Sequence, residues 1–168
     1  MNNVGKPILI SCFVLLILVF STLVYFFYVR TYKNNYFSVD YDIDWKKESS
    51  DNFKLKNVND SVIEIYGQYD KDNTDVNDIY LDLNNNFLKN NNDYKLVNAS
   101  NTNVGKNYYE GYELLYESDD KQVLYIIVVK DNKIVNINYT SSSDVFDLDL
   151  EQFYNVLNTI EIGDSIWE

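Results

Sequence analysis

The sequence predicts an α+β fold: an antiparallel β-sheet flanked by helices, preceded by one N-terminal transmembrane helix. Three observations carry this prediction. The chain begins with a long uncharged apolar run, several later segments alternate apolar and polar residues, and two stretches repeat their apolar residues every three to four positions.

The apolar run is Ile8 to Val29, 22 residues without a charge, Gly or Pro. As a helix it would measure roughly 33 Å at ~1.5 Å per residue, against a hydrocarbon core of ~30 Å. Pro7 suits a first helical turn, and Tyr25, Phe26, Phe27, Tyr28 and Tyr32 crowd the far end as headgroup-level rings do. The run exceeds a signal-peptide core and lacks a small-x-small cleavage pattern. Leu9-Ile10-Ser11-Cys12 resembles a lipobox, but the apolar stretch follows the cysteine instead of preceding it. The expectation is an uncleaved signal-anchor, single-pass in the cell membrane. The N-terminal tail (1–7) is then cytoplasmic, 30–35 is a tether, the domain at 36–162 is extracytoplasmic, and 163–168 is a C-terminal tail.

Within the domain, Tyr36 to Tyr41 alternates as a half-buried strand does, ending near Trp45, and Phe53-Lys54-Leu55-Lys56 alternates again. Val62-Ile63-Glu64-Ile65-Tyr66 is rich in β-branched residues. Val76, Ile79, Tyr80, Leu83, Phe87 and Leu88 then recur at helical spacing, predicting an amphipathic helix over 75–89 with Asn73 or Thr74 as cap. Strand character returns at 94–98, 108–118, 122–130 and 133–140, with hairpin turns at 118–121 and 130–133. In the last of these strands Val135, Ile137 and Tyr139 share one face, and Asn136, Asn138 and Thr140 share the other. One face is therefore packed, and the other is wet or meets a partner. A closing helix over 147–158, capped by Ser142, Ser143 or Asp144, carries Leu150, Phe153, Val156 and Leu157. A short strand at 160–162 follows.

Composition excludes several kinds of chemistry. There is no His, and the single Cys, Cys12, lies in the apolar run. Ser-His-Asp and Cys-His nucleophile systems, imidazole metal ligands and an intradomain disulfide are thereby ruled out. Residues 34–168 hold all 26 acids and 11 of the 14 bases, a net charge of −15. Such a surface repels nucleic acid and favours cationic or basic partners. The sequons at Asn59, Asn98 and Asn138 are chance matches in an Asn-rich chain.

Tyr36-Phe37-Ser38-Val39-Asp40-Tyr41-Asp42-Ile43-Asp44-Trp45 resembles the opening aromatic–Ser–apolar–x–Tyr–Pro–x–x–Trp pattern of the PsbP-like family, with Asp42 at the Pro position. Gly111-Tyr112-Glu113-Leu114-Leu115-Tyr116 is similar to that family's central strand. Tyr139-Thr140-Ser141-Ser142, Phe146, Phe153 and Leu157-Asn158-Thr159-Ile160 are similar to its strand–helix ending. The family shares an α/β/α sandwich with the extrinsic photosystem subunit and the Ran-binding Mog protein. Its anchored bacterial envelope members have no assigned activity. The resemblance, over residues 35–162, implies an interaction or accessory domain of the cell envelope and no reaction.

Asp40-x-Asp42-x-Asp44 has Trp45 and Asp51 where a calcium loop needs Gly and Glu, so it fails as such a loop. Asp70, Asp72 and Asp75 form a weak candidate Ca²⁺ site, also without the Gly; turn and helix cap are its simpler roles. Asp147-x-Asp149-x-Glu151 reads as acids at a helix N-terminus. Most of the tyrosines suit sheet packing. Tyr108, Tyr109, Asn136 and Asn138 remain as a candidate interaction surface, with a carbohydrate or peptide platform as the functional alternative. The leading expectation is a non-catalytic interaction module without a cofactor, its partner a protein or another envelope component. A Ca²⁺ or small-ligand sensor comes second, and a carboxylate hydrolase of envelope polymers third.

Overall fold

The structure is a computed structural model that describes residues 5–48, 52–71 and 74–163. Its main sheet has seven antiparallel strands: β3 (Lys46–Lys47), β4 (Phe53–Lys56), β5 (Val62–Tyr69), β6 (Lys95–Val104), β7 (Tyr109–Glu117), β8 (Lys121–Lys130) and β9 (Lys133–Ser142). Their spatial order is β3-β4-β5-β9-β8-β7-β6. A second sheet joins β1 (Arg30–Lys33), β2 (Phe37–Tyr41) and β10 (Glu161–Ile162) in the order β1-β2-β10. The helices are α1 (Gly5–Tyr28), α2 (Val76–Asn90) and α3 (Phe146–Leu157).

The sandwich follows from the period of two along each strand. On β8, Leu124, Ile126 and Val128 face one side with Val135, Ile137 and Tyr139 of β9 and Ile63 and Ile65 of β5. Against them pack Phe153, Val156 and Leu157 of α3, together with Phe37, Val39 and Ile162 of the small sheet. Leu114 and Tyr116 of β7 and Val123 of β8 face the opposite side, under Leu83, Phe87 and Leu88 of α2. The alternation on β9 is thus the one its sequence announces.

Local chemistry places the turns. Asp131 and Asn132 both sit at positive φ (48° and 58°) between the paired Lys130 and Lys133, the backbone of a tight hairpin that short polar side chains adopt at least cost. Gly105 also has positive φ (74°) and lies against the Ile160 carbonyl, which leaves no room for a Cβ. That contact, with Lys106 N–H donating to the same carbonyl at 3.2 Å, fixes the end of β6 beside the approach to β10.

Several expectations need correction. Among the described residues no helix is long and apolar enough to cross a membrane. α1 itself runs for 24 residues, Gly5–Tyr28. Within it Ser21 and Thr22 donate hydroxyl bonds to the Leu18 carbonyl, and Thr22 also to that of Val19. The spanning helix expected at Ile8–Val29 and the single-pass cell-membrane location are overturned together. The expected tether is also shorter, because Arg30–Lys33 pairs with β2 from Arg30↔Tyr41 to Lys33↔Ser38. The cap of α2 is Asp75, whose carboxylate accepts from Asn77 N–H at 2.8 Å. The cap position of α3 is Val145, without a side-chain bond, in place of the polar residues before it.

Candidate functional site

The two faces of the main sheet treat polar groups in opposite ways. On the α3 side lies a buried carboxylate, Asp149, 2% exposed. Asn57 Nδ2 donates to its Oδ2 at 2.8 Å, Asn59 Nδ2 to its Oδ1 at 2.8 Å, and Ser61 Oγ to Oδ2 at 2.6 Å. Ser61 has one hydroxyl proton, so in its 2.8 Å contact with Ser141 Oγ it accepts and Ser141 donates. Asn57 Oδ1 in turn accepts from the N–H groups of Asn59 and Ser61, both at 3.0 Å, which fixes the loop ahead of β5. Burial alone would raise the Asp149 pKa; the bonds from Ser61, Asn57 and Asn59 outweigh it and hold the carboxyl below its ordinary value. The charge is retained and fully solvated by protein donors, which makes it a fastener between α3 and the β4–β5 loop. In the sequence Asp149 reads as a helix-terminus acid and Asn59 as a chance sequon; residues some ninety positions apart had to meet before its role showed.

On the other side, α2 lies over the sheet without burying any of its own residues. Phe87 stacks on Tyr116 with ring centres 4.1 Å apart and meets Tyr125 edge-on at 6.4 Å. Tyr116 donates to Asn84 Oδ1 at 3.0 Å and Tyr112 to Asn77 Oδ1 at 3.2 Å, so hydroxyl–amide bonds hold the helix as much as ring contacts do. Along the open flank of α2 runs a groove of about 420 Å³. Its helix side is Ile79, Leu83, Asn86, Phe87, Asn90 and Asn91; its sheet side is Tyr66, Gln68, Tyr125, Ile134 and Asn136. Tyr66 and Tyr125 share a hydroxyl–hydroxyl bond of 2.6 Å. Burial first, and that bond second, push the Tyr125 phenol well above its ordinary pKa, so it remains a neutral hydroxyl.

Asn136 is the telling residue of this groove. It sits on β9, opposite Tyr66 of β5 and Ile127 of β8, and is 4% exposed. Its side-chain amide makes no hydrogen bond to any described residue, yet it lines the groove. Its amide therefore faces the groove, where only water or a ligand can complete its hydrogen bonds.

The structure separates the four residues expected to form one surface. Asn136 enters the groove, and Asn138, two residues on, accepts from Thr140 Oγ1 at 3.2 Å. Tyr108 lies at the β6–β7 turn at positive φ (53°) and is 77% exposed. Tyr109 is half-buried and is spent on structure: its hydroxyl donates to the Ile162 carbonyl at 2.9 Å and accepts from Asn107 Nδ2 at 2.8 Å. Of the candidate Ca²⁺ ligands, Asp72 lies outside the described residues. Asp70 accepts from Thr74 N–H and Oγ1 at 2.8 and 3.1 Å, and Asp75 caps α2, so both carboxylates serve the turn into the helix. Among the described residues no group of three His, Cys, Asp or Glu is placed to hold a metal ion.

An antiparallel sheet with one helix layer on each face defines the class as an α/β/α sandwich. Among solved structures the chain is similar to the cyanobacterial PsbP protein CyanoP from Synechocystis sp. PCC 6803. The TM-score is 0.64 at 14% identity, covering 82% of this chain and 94% of that one. It is also similar to a protein from Bacteroides thetaiotaomicron VPI-5482 (TM-score 0.52, 16% identity), covering 81% of this chain and 49% of that one, about half its length. No family model and no curated protein sequence matches the chain. The fold is PsbP-like, as the sequence resemblance implied; at these identities the likeness extends to the fold alone.

Proposed function

We propose that this protein is a non-catalytic recognition domain that takes an uncharged ligand into the groove between α2 and the main sheet. The observation that carries the reading is Asn136: a nearly buried amide without a described partner, opening into a cavity of about 420 Å³. That volume falls within the ~300–1,000 Å³ of ordinary ligand sites. A folded chain tolerates an unpaired amide at such a position when a ligand completes its hydrogen bonds. The lining offers phenols, amides and apolar carbons, but no carboxylate, ammonium or guanidinium. General acid–base work needs a titratable group at the reacting atoms, and this groove supplies only phenols, of which Tyr125 is held neutral. The −15 balance of residues 34–168 further disfavours anionic partners such as nucleic acid.

The test is an amide-resolved NMR titration of the full chain with small uncharged amides, phenols and polyols, and with phosphate and acetate as charged comparisons. The neutral compounds should shift signals around Asn136, Tyr125 and Asn86 and emerge chemically unchanged. Shifts confined to other faces, or turnover of a bound compound, would refute the reading.

A further inference from the structure

We infer that the ligand of this groove is a neutral saccharide, a conclusion that rests on the recognition role proposed above. The groove lies on the face of the sheet, not at its edge. Its central strand, β9, is paired along its length with β5 on one side and β8 on the other. The backbone N–H and C=O groups of β9 are consumed in those ladders, so a peptide cannot add itself as a further strand here. Recognition has to come from side chains, and most of the polar ones here are carboxamides. Asn136 at the floor and Asn86, Asn90 and Gln68 around it each present a donor and an acceptor side by side. A sugar hydroxyl also donates and accepts at once, so neighbouring hydroxyls match a planar amide group for group. Between the amides, Ile79, Leu83 and Ile134 offer apolar surface for the C–H face of a pyranose ring, and the Tyr66–Tyr125 hydroxyl pair adds a further polar contact.

Charge selects among saccharides. The chain carries 26 acidic residues, yet none lines this groove, and no basic residue does either. A carboxylated or sulfated sugar would leave water without meeting a counter-charge, whereas a hexose or N-acetylhexosamine oligomer would leave no charge uncompensated. Asn136 is the most buried of these amides, at 4% exposed, and it makes no bond to a described residue, so a ligand hydroxyl can pair with it without breaking a bond within the protein.

The experiment is a screen of the full chain on an array of neutral and acidic glycans, followed by NMR titration with chitotetraose, maltotetraose and cellotetraose, the side-chain amide signals of Asn136, Asn86 and Asn90 being followed directly. Sialyllactose and a capped neutral tetrapeptide serve as comparisons. At least one neutral oligosaccharide should bind saturably and move those three amides. Asn136→Leu should weaken it at least tenfold without lowering the melting temperature, and Asn90→Ala, at the exposed rim, should weaken it severalfold in a variant whose folding is not at issue. Retention of no neutral glycan, equal binding of sialyllactose, or capture of the tetrapeptide in the groove while sugars leave it silent would overturn the saccharide assignment. If the simple amides and phenols still bind there, the recognition role survives; if every probe leaves the groove unmoved, both fall.

Discussion

The two faces of the main sheet are built from the same strands and differ in almost everything else. The α3 face joins 21 buried residues in one cluster, and its deepest polar group, Asp149, has every bond it needs. The α2 face joins three buried residues, is roofed by a helix that buries none, and its deepest polar group, Asn136, has none. Stability is thus concentrated on one side of a sheet about one residue thick. The other side is free to keep an open, polar, imperfectly satisfied surface, the condition a binding site requires.

The sharpest way to break this contrast is a pair of matched truncations. Phe153→Ala, which removes a fully buried ring stacked on Tyr139 at 4.8 Å, should cost about 3–5 kcal/mol in urea unfolding. Phe87→Ala on α2 should cost only about 1–2 kcal/mol, because its ring is half-exposed. Equal costs would show that the two faces are not distinct.

Next in size is the buried carboxylate. Asp149→Asn keeps the shape but turns an amide NH₂ either toward Asn59 Nδ2 or toward Asn57 Nδ2 and Ser61 Oγ, and should cost about 2–3 kcal/mol at neutral pH. The native pKa lies below the ordinary 3.8. The contribution of this group is therefore complete above that value and is lost as pH falls through the native pKa, in the region below about pH 4. Melting curves of the parent and Asp149→Asn should differ at pH 7 and converge in acid. A constant gap down to pH 2 would count against the charged fastener.

Smallest is Asn136→Leu. Deleting an unpaired amide from a nearly buried site should leave stability unchanged or raise it by up to about 1 kcal/mol. A loss of several kcal/mol would mean that the amide is a structural member. Hydrogen exchange sharpens the picture further: amides of α2 should exchange by local opening, well before those of α3 and β9.

What the sequence disclosed divides along similar lines. The alternation in β9 is a strictly local signal, and it separated Val135, Ile137 and Tyr139 from Asn136 and Asn138 as the structure does. The helix over 75–89 was legible for the same reason, within one residue at each end. β1 was not legible, because Arg30-Thr31-Tyr32-Lys33 has no apolar alternation and becomes a strand only through β2. The Asp149 cluster was hidden because its burial depends on Asn57, Asn59 and Ser61, which no local pattern links to α3. The groove was half visible: the sequence marked Asn136 as polar on a free face, but not that its amide would go unpaired.

The alternation on β9 has a consequence for how this protein can change. Odd positions from Val135 to Tyr139 spell the core, and the even positions Ile134 and Asn136 line the groove, so two messages are interleaved in one strand. Point substitutions at the even positions can reshape the groove while leaving the other message intact. A single-residue insertion or deletion would transpose the two and send asparagines into the α3 layer. Related chains should therefore vary at the even positions of β9 while its length stays fixed.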